Sequence, residues 1–190
     1  VFNNPKDVEE IARLVRYTTA DDPNAVVLDY FAGSGTTGEA VMRLNSDDGG
    51  RRRYVVVQLP EPLDAADKEQ KNAARFCDEL GKPKNIAELT KERLRRAAKK
   101  VKEEKPALSG DLGFRVFKLD ASNIRAWDPD RQNLPKSLLE SVDHLKTDRT
   151  ETDILYELLL KLGLDLCVPI EKKKISGKDV HSIGGGVLLA

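Results

Sequence analysis

Apolar and polar positions along this chain follow two different periods. Val8, Ile11, Ala12, Leu14 and Val15 keep the spacing of an amphipathic helix. Val26-Val27-Leu28 is a short apolar run ending in Asp29, and Arg53-Tyr54-Val55-Val56-Val57-Gln58-Leu59 is a second, β-rich run that stops at Pro60. Both read as buried strands, over 26–31 and 54–59. Lying about one helix apart, they predict neighbouring parallel strands of a βαβ unit. From Glu61 to Lys105 no strand pattern occurs. Asp64 to Leu80 reads as one helix ending at Gly81, and Asn85 or Thr90 caps the next, so residues 62–105 form a helical insertion. Residues 114–119 alternate apolar and charged side chains up to Asp120, the period of a third strand beside the first two. The run from Trp127 to Arg149 is polar and interrupted by Pro129 and Pro135. Ile154, Leu155, Leu158, Leu159 and Leu162 then mark a strongly apolar helix that ends at Gly163. Leu166–Ile170, Val180–Ile183 and Val187–Leu189 read as short strands, with Lys172 to Lys178 as the turn between the first two. Strands alternating with helices predict an α/β sandwich, with residues 1–125 as its main part and 126–190 as an extension.

Chemistry concentrates where the first apolar run ends. Asp29-Tyr30-Phe31-Ala32-Gly33-Ser34-Gly35-Thr36-Thr37-Gly38 drops from a strand into a glycine turn that opens a helix. Such a turn presents backbone N–H groups at the carboxyl end of a strand. Gly33 and Gly35 let the backbone turn tightly and approach a ligand where a Cβ would collide. Gly33, Gly35 and Gly38 satisfy G-x-G-x-x-G, so a dinucleotide site is one reading. A phosphate-gripping P-loop is set aside, because Thr36 and Thr37 follow Gly35 with no Lys beside them. A tight strand–helix turn without ligand is the plain alternative.

The fuller string resembles motif I, D-x-F-x-G-x-G-T-T, of DNA amino-methyltransferases that use S-adenosylmethionine (SAM). SAM carries an α-ammonium and no pyrophosphate, so a carboxylate such as Asp29 suits it and would repel a diphosphate. Val1-Phe2-Asn3-Asn4-Pro5-Lys6, ahead of the first helix, is similar to motif X of the same enzymes, although Asp7 stands where Pro often follows the Lys. By position, the resemblance implies cofactor contacts at Asn4, Lys6, Asp29, Phe31, Ala32, Gly33, Gly35, Thr36 and Thr37. Gln58, at the tip of the second strand, would face the ribose hydroxyls in place of the usual carboxylate; an amide can hydrogen-bond a diol from both ends. Asp120 is a candidate neighbour of the adenine, or simply a strand-ending turn. The implied fold is a Rossmann-like methyltransferase sandwich, with a mainly parallel sheet and helices on both faces.

Motif order carries further information. X, then I, then the ribose strand is the order of the permuted β-type methyltransferases, whose catalytic Asp-Pro-Pro-Tyr precedes motif X. Here the nearest match, Asp128-Pro129-Asp130-Arg131, lacks the second Pro and the aromatic. No catalytic residue is therefore assigned. With Val1 in place of an initiator Met and an apolar C-terminus, the chain reads as the cofactor half of a longer protein.

Composition bounds rather than selects. With 39% hydrophobic residues and a net charge of zero, the chain suits a soluble cytoplasmic domain and does not advertise nucleic-acid binding by overall charge. No apolar run approaches the ~18 residues of a membrane span. Cys77 and Cys167 lack metal-ligand spacing, and His144 and His181 are isolated, so no metal site is assigned. Lys91 to Lys105 forms a basic amphipathic helix. It could lie along DNA phosphates, though a solvated helix face is the commoner meaning of such a run.

Residues 86–93, 114–123 and 155–164 resemble the tail of the modification subunit of type III restriction–modification systems. That resemblance covers nearly the whole chain. It implies a site-specific adenine-N6 DNA methyltransferase that flips its target base from double-stranded DNA. It further implies a dimer partnered with a helicase–nuclease restriction subunit. The fragment alone would not methylate DNA and would bind SAM weakly or not at all. A methyltransferase acting on RNA or another acceptor, and a non-enzymatic nucleotide-binding or assembly domain, are the alternatives.

Overall fold

The computed structural model describes residues 6–107, 110–186 and 188–189. They divide into two units, before and after the junction of Phe114 and Arg115. The first contains α1 (Val8–Thr18), β1 (Val26–Asp29), α2 (Thr36–Asp48), β2 (Arg53–Val56), α3 (Lys71–Glu79) and α4 (Ile86–Glu104). α1 begins where the Asp7 carboxylate accepts the N–H groups of Glu9 and Glu10, two donors that the helix itself cannot satisfy. Its apolar stripe, Ile11 and Val15, packs on Val41 and Leu44 of α2.

β1 and β2 pair in parallel, with Leu28 opposite Val55 and Asp29 opposite Val56. The ladder continues upward: Val57 N donates to Asp29 O at 2.8 Å and Ala32 N donates to Val57 O at 3.0 Å. It therefore delivers the chain straight into the glycine turn. The start of β2 is held by Asn45, whose amide brackets the Arg52 backbone at 2.8 and 3.1 Å. Val27, Tyr54 and Val56 face the helices, where they join clusters around Val41, Leu44, Met42, Leu94 and Ala97. On the opposite face Val26, Leu28 and Val55 remain 53%, 49% and 49% exposed. A mixed α/β fold with a small parallel sheet is thus present. Helices were expected on both faces; within this unit the described ones that pack on the sheet, α1, α2 and α4, lie on one face.

Two expectations in this stretch are corrected. The helix expected over 64–80 is confined to Lys71–Glu79. Asp64 accepts the Ala66 N–H, and Asp67 accepts those of Glu69 and Gln70. Asp64 thus closes a local turn, and Asp67 accepts its two amides as Asp7 does at α1, so the chain enters the helix only beyond them. Residues 114–119 are not a strand. The alternation is real, but a strand exists only where a neighbour completes its backbone hydrogen bonds. Side chains anchor the segment instead. Phe114 packs against the Met42–Leu94–Ala97 cluster in the first unit. In the second unit, Arg115 donates to Tyr156 Oη at 2.8 Å and Leu166 O at 2.6 Å, and Phe117 meets the Tyr156 ring edge-on.

The second unit contains α5 (Leu134–Glu140), α6 (Glu151–Lys161), β3 (Ile170–Ile175), β4 (Lys178–Ile183) and β5 (Leu188–Leu189). Thr150 and Asp153 form a reciprocal capping box at α6. Leu155, Leu159 and Ile183 form the core. The strands pair antiparallel in the order β3-β4-β5. The turn expected over 172–178 shrinks to Ser176-Gly177, both at positive φ (52° and 79°), which lets a two-residue hairpin match the strand twist. The strand expected over 166–170 is likewise displaced. Leu166, Val168 and Ile170 do turn into the core, yet pairing starts only at Ile170. Val187, expected to begin the last strand, lies outside the described residues.

Glu157 of α6 secures the loop ahead of it. Its carboxylate accepts from Ser122 Oγ, from Lys161 Nζ at 2.9 Å and from Asn123 N at 2.6 Å. These bonds, that of Ser122 foremost, hold its pKa down to about 2 from an ordinary 4.5. A depressed carboxyl stabilises the fold above its unfolded pKa, and that contribution disappears as pH falls through the folded value. The second unit should therefore lose stability between pH 4.5 and about 2. Urea unfolding followed by the fluorescence of Trp127 reads this loss, and Glu157→Gln should flatten the dependence. An equally steep variant would show that other groups carry it.

Candidate cofactor site

The glycine turn is shaped by two left-handed residues, Gly33 (φ 52°) and Gly35 (φ 85°). This backbone costs an L side chain about 1–2 kcal/mol. At Gly35 space is tight as well, since a Cβ would lie 3.1 Å from Thr90 Cγ2 and 3.3 Å from Thr90 O. Gly35 N donates to Ala32 O at 2.7 Å, closing the turn. Gly35 is also the N-cap of α2 and supplies no side chain, so the first amides of that helix have no side-chain cap. They form the positive end of the helix dipole.

Asp29 stands beside these amides. Its Oδ1 accepts from Phe31 N at 3.0 Å and its Oδ2 from Thr37 Oγ1 at 2.6 Å. The carboxylate is half-buried and fixed in direction, with a free lone pair remaining on each oxygen. Gln58 crosses from the second strand, accepting from Gly33 N at 2.8 Å and donating to Leu59 O at 3.0 Å. Both ends of the amide expected to grip a diol are thus engaged within the chain. Phe31 is 88% exposed at the strand tip, whereas Ala32 and Thr36 are buried. Lys6 is exposed just ahead of the α1 cap, and Asn4 lies outside the described residues.

Three residues of the site carry no local motif signal. Thr90 and Arg93 come from α4, and Glu39 from α2. Thr90 Oγ1 donates to Gly33 O at 2.6 Å. Arg93 donates from Nη1 to Ser34 Oγ at 2.6 Å and Thr36 Oγ1 at 2.9 Å, and from Nε to Glu39 Oε2 at 2.6 Å. Glu39 is buried and also accepts from Arg43 at 2.6 Å. One pointer was available: Arg93 falls four residues from both Leu89 and Ala97, on the packed side of α4.

The remaining basic side chains of α4 behave differently. Lys91 pairs with Glu88, Arg96 with Glu92 at 2.7 Å and Lys100 with Glu104 at 3.7 Å. Arg96 also lies over the Phe76 ring at 4.8 Å. In the second unit Asp120 accepts from Arg149 at 2.8 Å, which draws its carboxyl below the usual range. Among the described residues, no helix is long and apolar enough to cross a membrane, and no group of three potential metal-ligating His, Cys, Asp or Glu residues occurs.

Comparison with known proteins places this geometry in a family. The DNA methylase family model (N6_N4_Mtase) matches residues 1–59, the stretch from the N-terminus through β2 and Gln58. The chain is 31% identical over 188 residues to the type III restriction-modification enzyme EcoP15I Mod subunit of Escherichia coli, covering 99% of this chain and 26% of that protein. It is 32% identical over 194 residues to the EcoPI Mod subunit of Escherichia phage P1, covering 100% and 27%. To the StyLTI Mod subunit of Salmonella typhimurium it is 35% identical over 118 residues, 62% and 16%. The chain thus spans about a quarter of the length of the first two of these relatives and less of the third. With the methylase match centred on the glycine turn and the likeness extending through both units, the chain belongs to the family of type III modification subunits.

Proposed function

We propose that the glycine turn binds SAM. On this reading the chain is the cofactor-binding part of a site-specific DNA adenine-N6 methyltransferase, the modification subunit of a type III system. One observation carries it: an oriented carboxylate, Asp29, stands directly beside the uncapped N-terminus of α2. A zwitterionic amino-acid moiety fits that pair, its ammonium on Asp29 and its carboxylate on the amides. A diphosphate would meet the Asp29 charge. When bound, SAM supplies a methyl group on a sulfonium centre.

The chain's own residues would bind and orient. Asp29, held by Thr37 and the Phe31 amide, points its charge at the ligand. Gly33 and Gly35 admit close backbone approach, and the exposed Phe31 ring offers an apolar wall at the mouth. Ala32 and Thr36 shape the turn from within. Gln58, holding Gly33, sets the turn's height and keeps one amide hydrogen for a ribose. Holding a reactant in place contributes by proximity. No residue is assigned to the adenine. Double-stranded DNA, a second modification subunit and a restriction subunit are the proposed partners, in the cytoplasm.

Heteronuclear NMR titration of this chain tests the reading, because it registers dissociation constants into the millimolar range. SAM should shift the amides of residues 32–38, and NAD at the same concentration should not. The chain alone should transfer no tritium from labelled SAM to adenine-containing DNA. Preferential binding of NAD, or SAM shifts confined to other residues, would overturn the assignment.

A further inference from the structure

We infer that α4 is a rear clamp for the cofactor turn, and that Thr90 and Arg93 are positioning residues of the site. The ligand part of this inference rests on the SAM reading above. The contacts on which it stands lie within the first unit and join residues 54 to 59 positions apart in sequence.

The chemistry turns on two hydroxyls. Ser34 and Thr36 flank the cap glycine, with their oxygens 3.4 Å apart. Serine and threonine at a helix start ordinarily turn their oxygens onto the first amides of the helix. Had they done so here, the α2 amides would be satisfied internally and lost to a ligand. Arg93 draws both oxygens towards α4 instead, donating to each from a single Nη1. A guanidinium suits this task, since it donates in a rigid planar fork and accepts nothing. Its Nε is fixed on the buried Glu39 carboxylate, whose other oxygen is taken by Arg43. Arg43 in turn meets Glu9 at 3.2 Å, so two guanidiniums face two carboxylates and the charge is balanced locally rather than projected towards a cationic ligand.

Thr90 sets the other half of the turn. Its hydroxyl lies 2.6 Å from Gly33 O, closer than the 3.1 Å to Ile86 O within its own helix. Gly33 N is held by Gln58 on the opposite side. The left-handed Gly33 is therefore fixed at both its N–H and its C=O by side chains from distant elements. Packing closes the arrangement: a Cβ on Gly38 would lie 2.6 Å from Leu94 Cδ2, so α4 rests directly on the first turns of α2.

Thr90→Val and Arg93→Lys separate positioning from support. The first exchanges the hydroxyl for a methyl of similar size; the second keeps the charge opposite Glu39 but loses the fork. Arg96→Gln, on the solvent side of the same helix, is the control. Amide hydrogen exchange should rise about tenfold at residues 33–37 in both variants and stay at wild-type level at residues 41–45. SAM should bind roughly tenfold more weakly, and melting temperatures should remain near that of the control. Exchange that stays unchanged at 33–37, or rises uniformly through α2 with a fall in melting temperature, would reduce Thr90 and Arg93 to general support and overturn the inference. A local rise in exchange with unaltered SAM affinity would overturn it too. If the full-length protein binds no SAM, the cofactor reading fails, while the exchange measurement on this chain still decides whether the clamp exists.

Discussion

Replacing Asp29 by alanine should weaken SAM binding by about ten- to a hundredfold. Charge-assisted hydrogen bonds contribute roughly 1.5–3 kcal/mol, and each 1.4 kcal/mol corresponds to about a factor of ten. Asp29 is half-buried and held at both oxygens, by the Phe31 amide and the Thr37 hydroxyl. Little reorganisation would therefore be needed to meet an ammonium. The same two contacts mean that alanine also releases the turn, which confounds charge with shape. Asp29→Asn separates them, because its amide oxygen still accepts from Phe31 N while its nitrogen donates to Thr37 Oγ1. If the charge is what matters, the asparagine variant should bind SAM almost as poorly as the alanine variant. An affinity equal to wild type in either variant would remove Asp29 from the site.

Leu94→Ala should cost the first unit about 2–5 kcal/mol, the range for emptying a buried leucine site. Leu94 is 2% exposed and packs with Met42 and Ala97 beneath Tyr54 and Val56. It also touches both glycines of the helix start, since a Cβ on Gly35 would lie 3.6 Å from Leu94 Cγ and one on Gly38 only 2.6 Å from Leu94 Cδ2. From this follows a sign change. Gly38→Ala alone should destabilise, because the methyl meets Leu94 and, at 3.2 Å, the Tyr54 ring. Made in the Leu94→Ala background, the same substitution enters the vacated space and adds the helix preference of alanine, about 1 kcal/mol over glycine. The two changes should be strongly non-additive, as residues in contact are. Urea unfolding followed by circular dichroism measures all three variants. Additive losses, or a Leu94→Ala cost below about 1 kcal/mol, would contradict the packing.

Legibility followed the range of the forces concerned. β1, the glycine turn and α2 could be read because each rests on neighbours in sequence. An apolar run has one place to go, and Gly33 and Gly35 occupy conformations that other residues adopt only at a cost. The Asp7 cap and the capping box at Thr150 are equally local, although neither was singled out from the sequence. The failures were of two kinds. At residues 64–70 local turn chemistry went unweighed, as Asp64 holds the Ala66 amide in a turn and Asp67 takes those of Glu69 and Gln70, so the helix starts only beyond them. At 114–119 the period was right and the strand absent, because alternation specifies which side chains face inward and not whether a ladder partner lies alongside.

Arg93 illustrates the boundary. Within its run it resembles Arg96 and Lys100, and helical spacing places all three on one stripe. Arg96 and Lys100 pair with carboxylates of their own helix, Glu92 and Glu104. Arg93 reaches Glu39, Ser34 and Thr36, more than fifty positions away. Sequence alone determined the backbone of the turn and the carboxylate beside it, since steric limits on φ and hydrogen bonds between near neighbours act within a few residues. Only the tertiary structure decided which distant side chains hold that turn open, because a guanidinium takes its partners from whatever the packed helices bring within 3 Å of it.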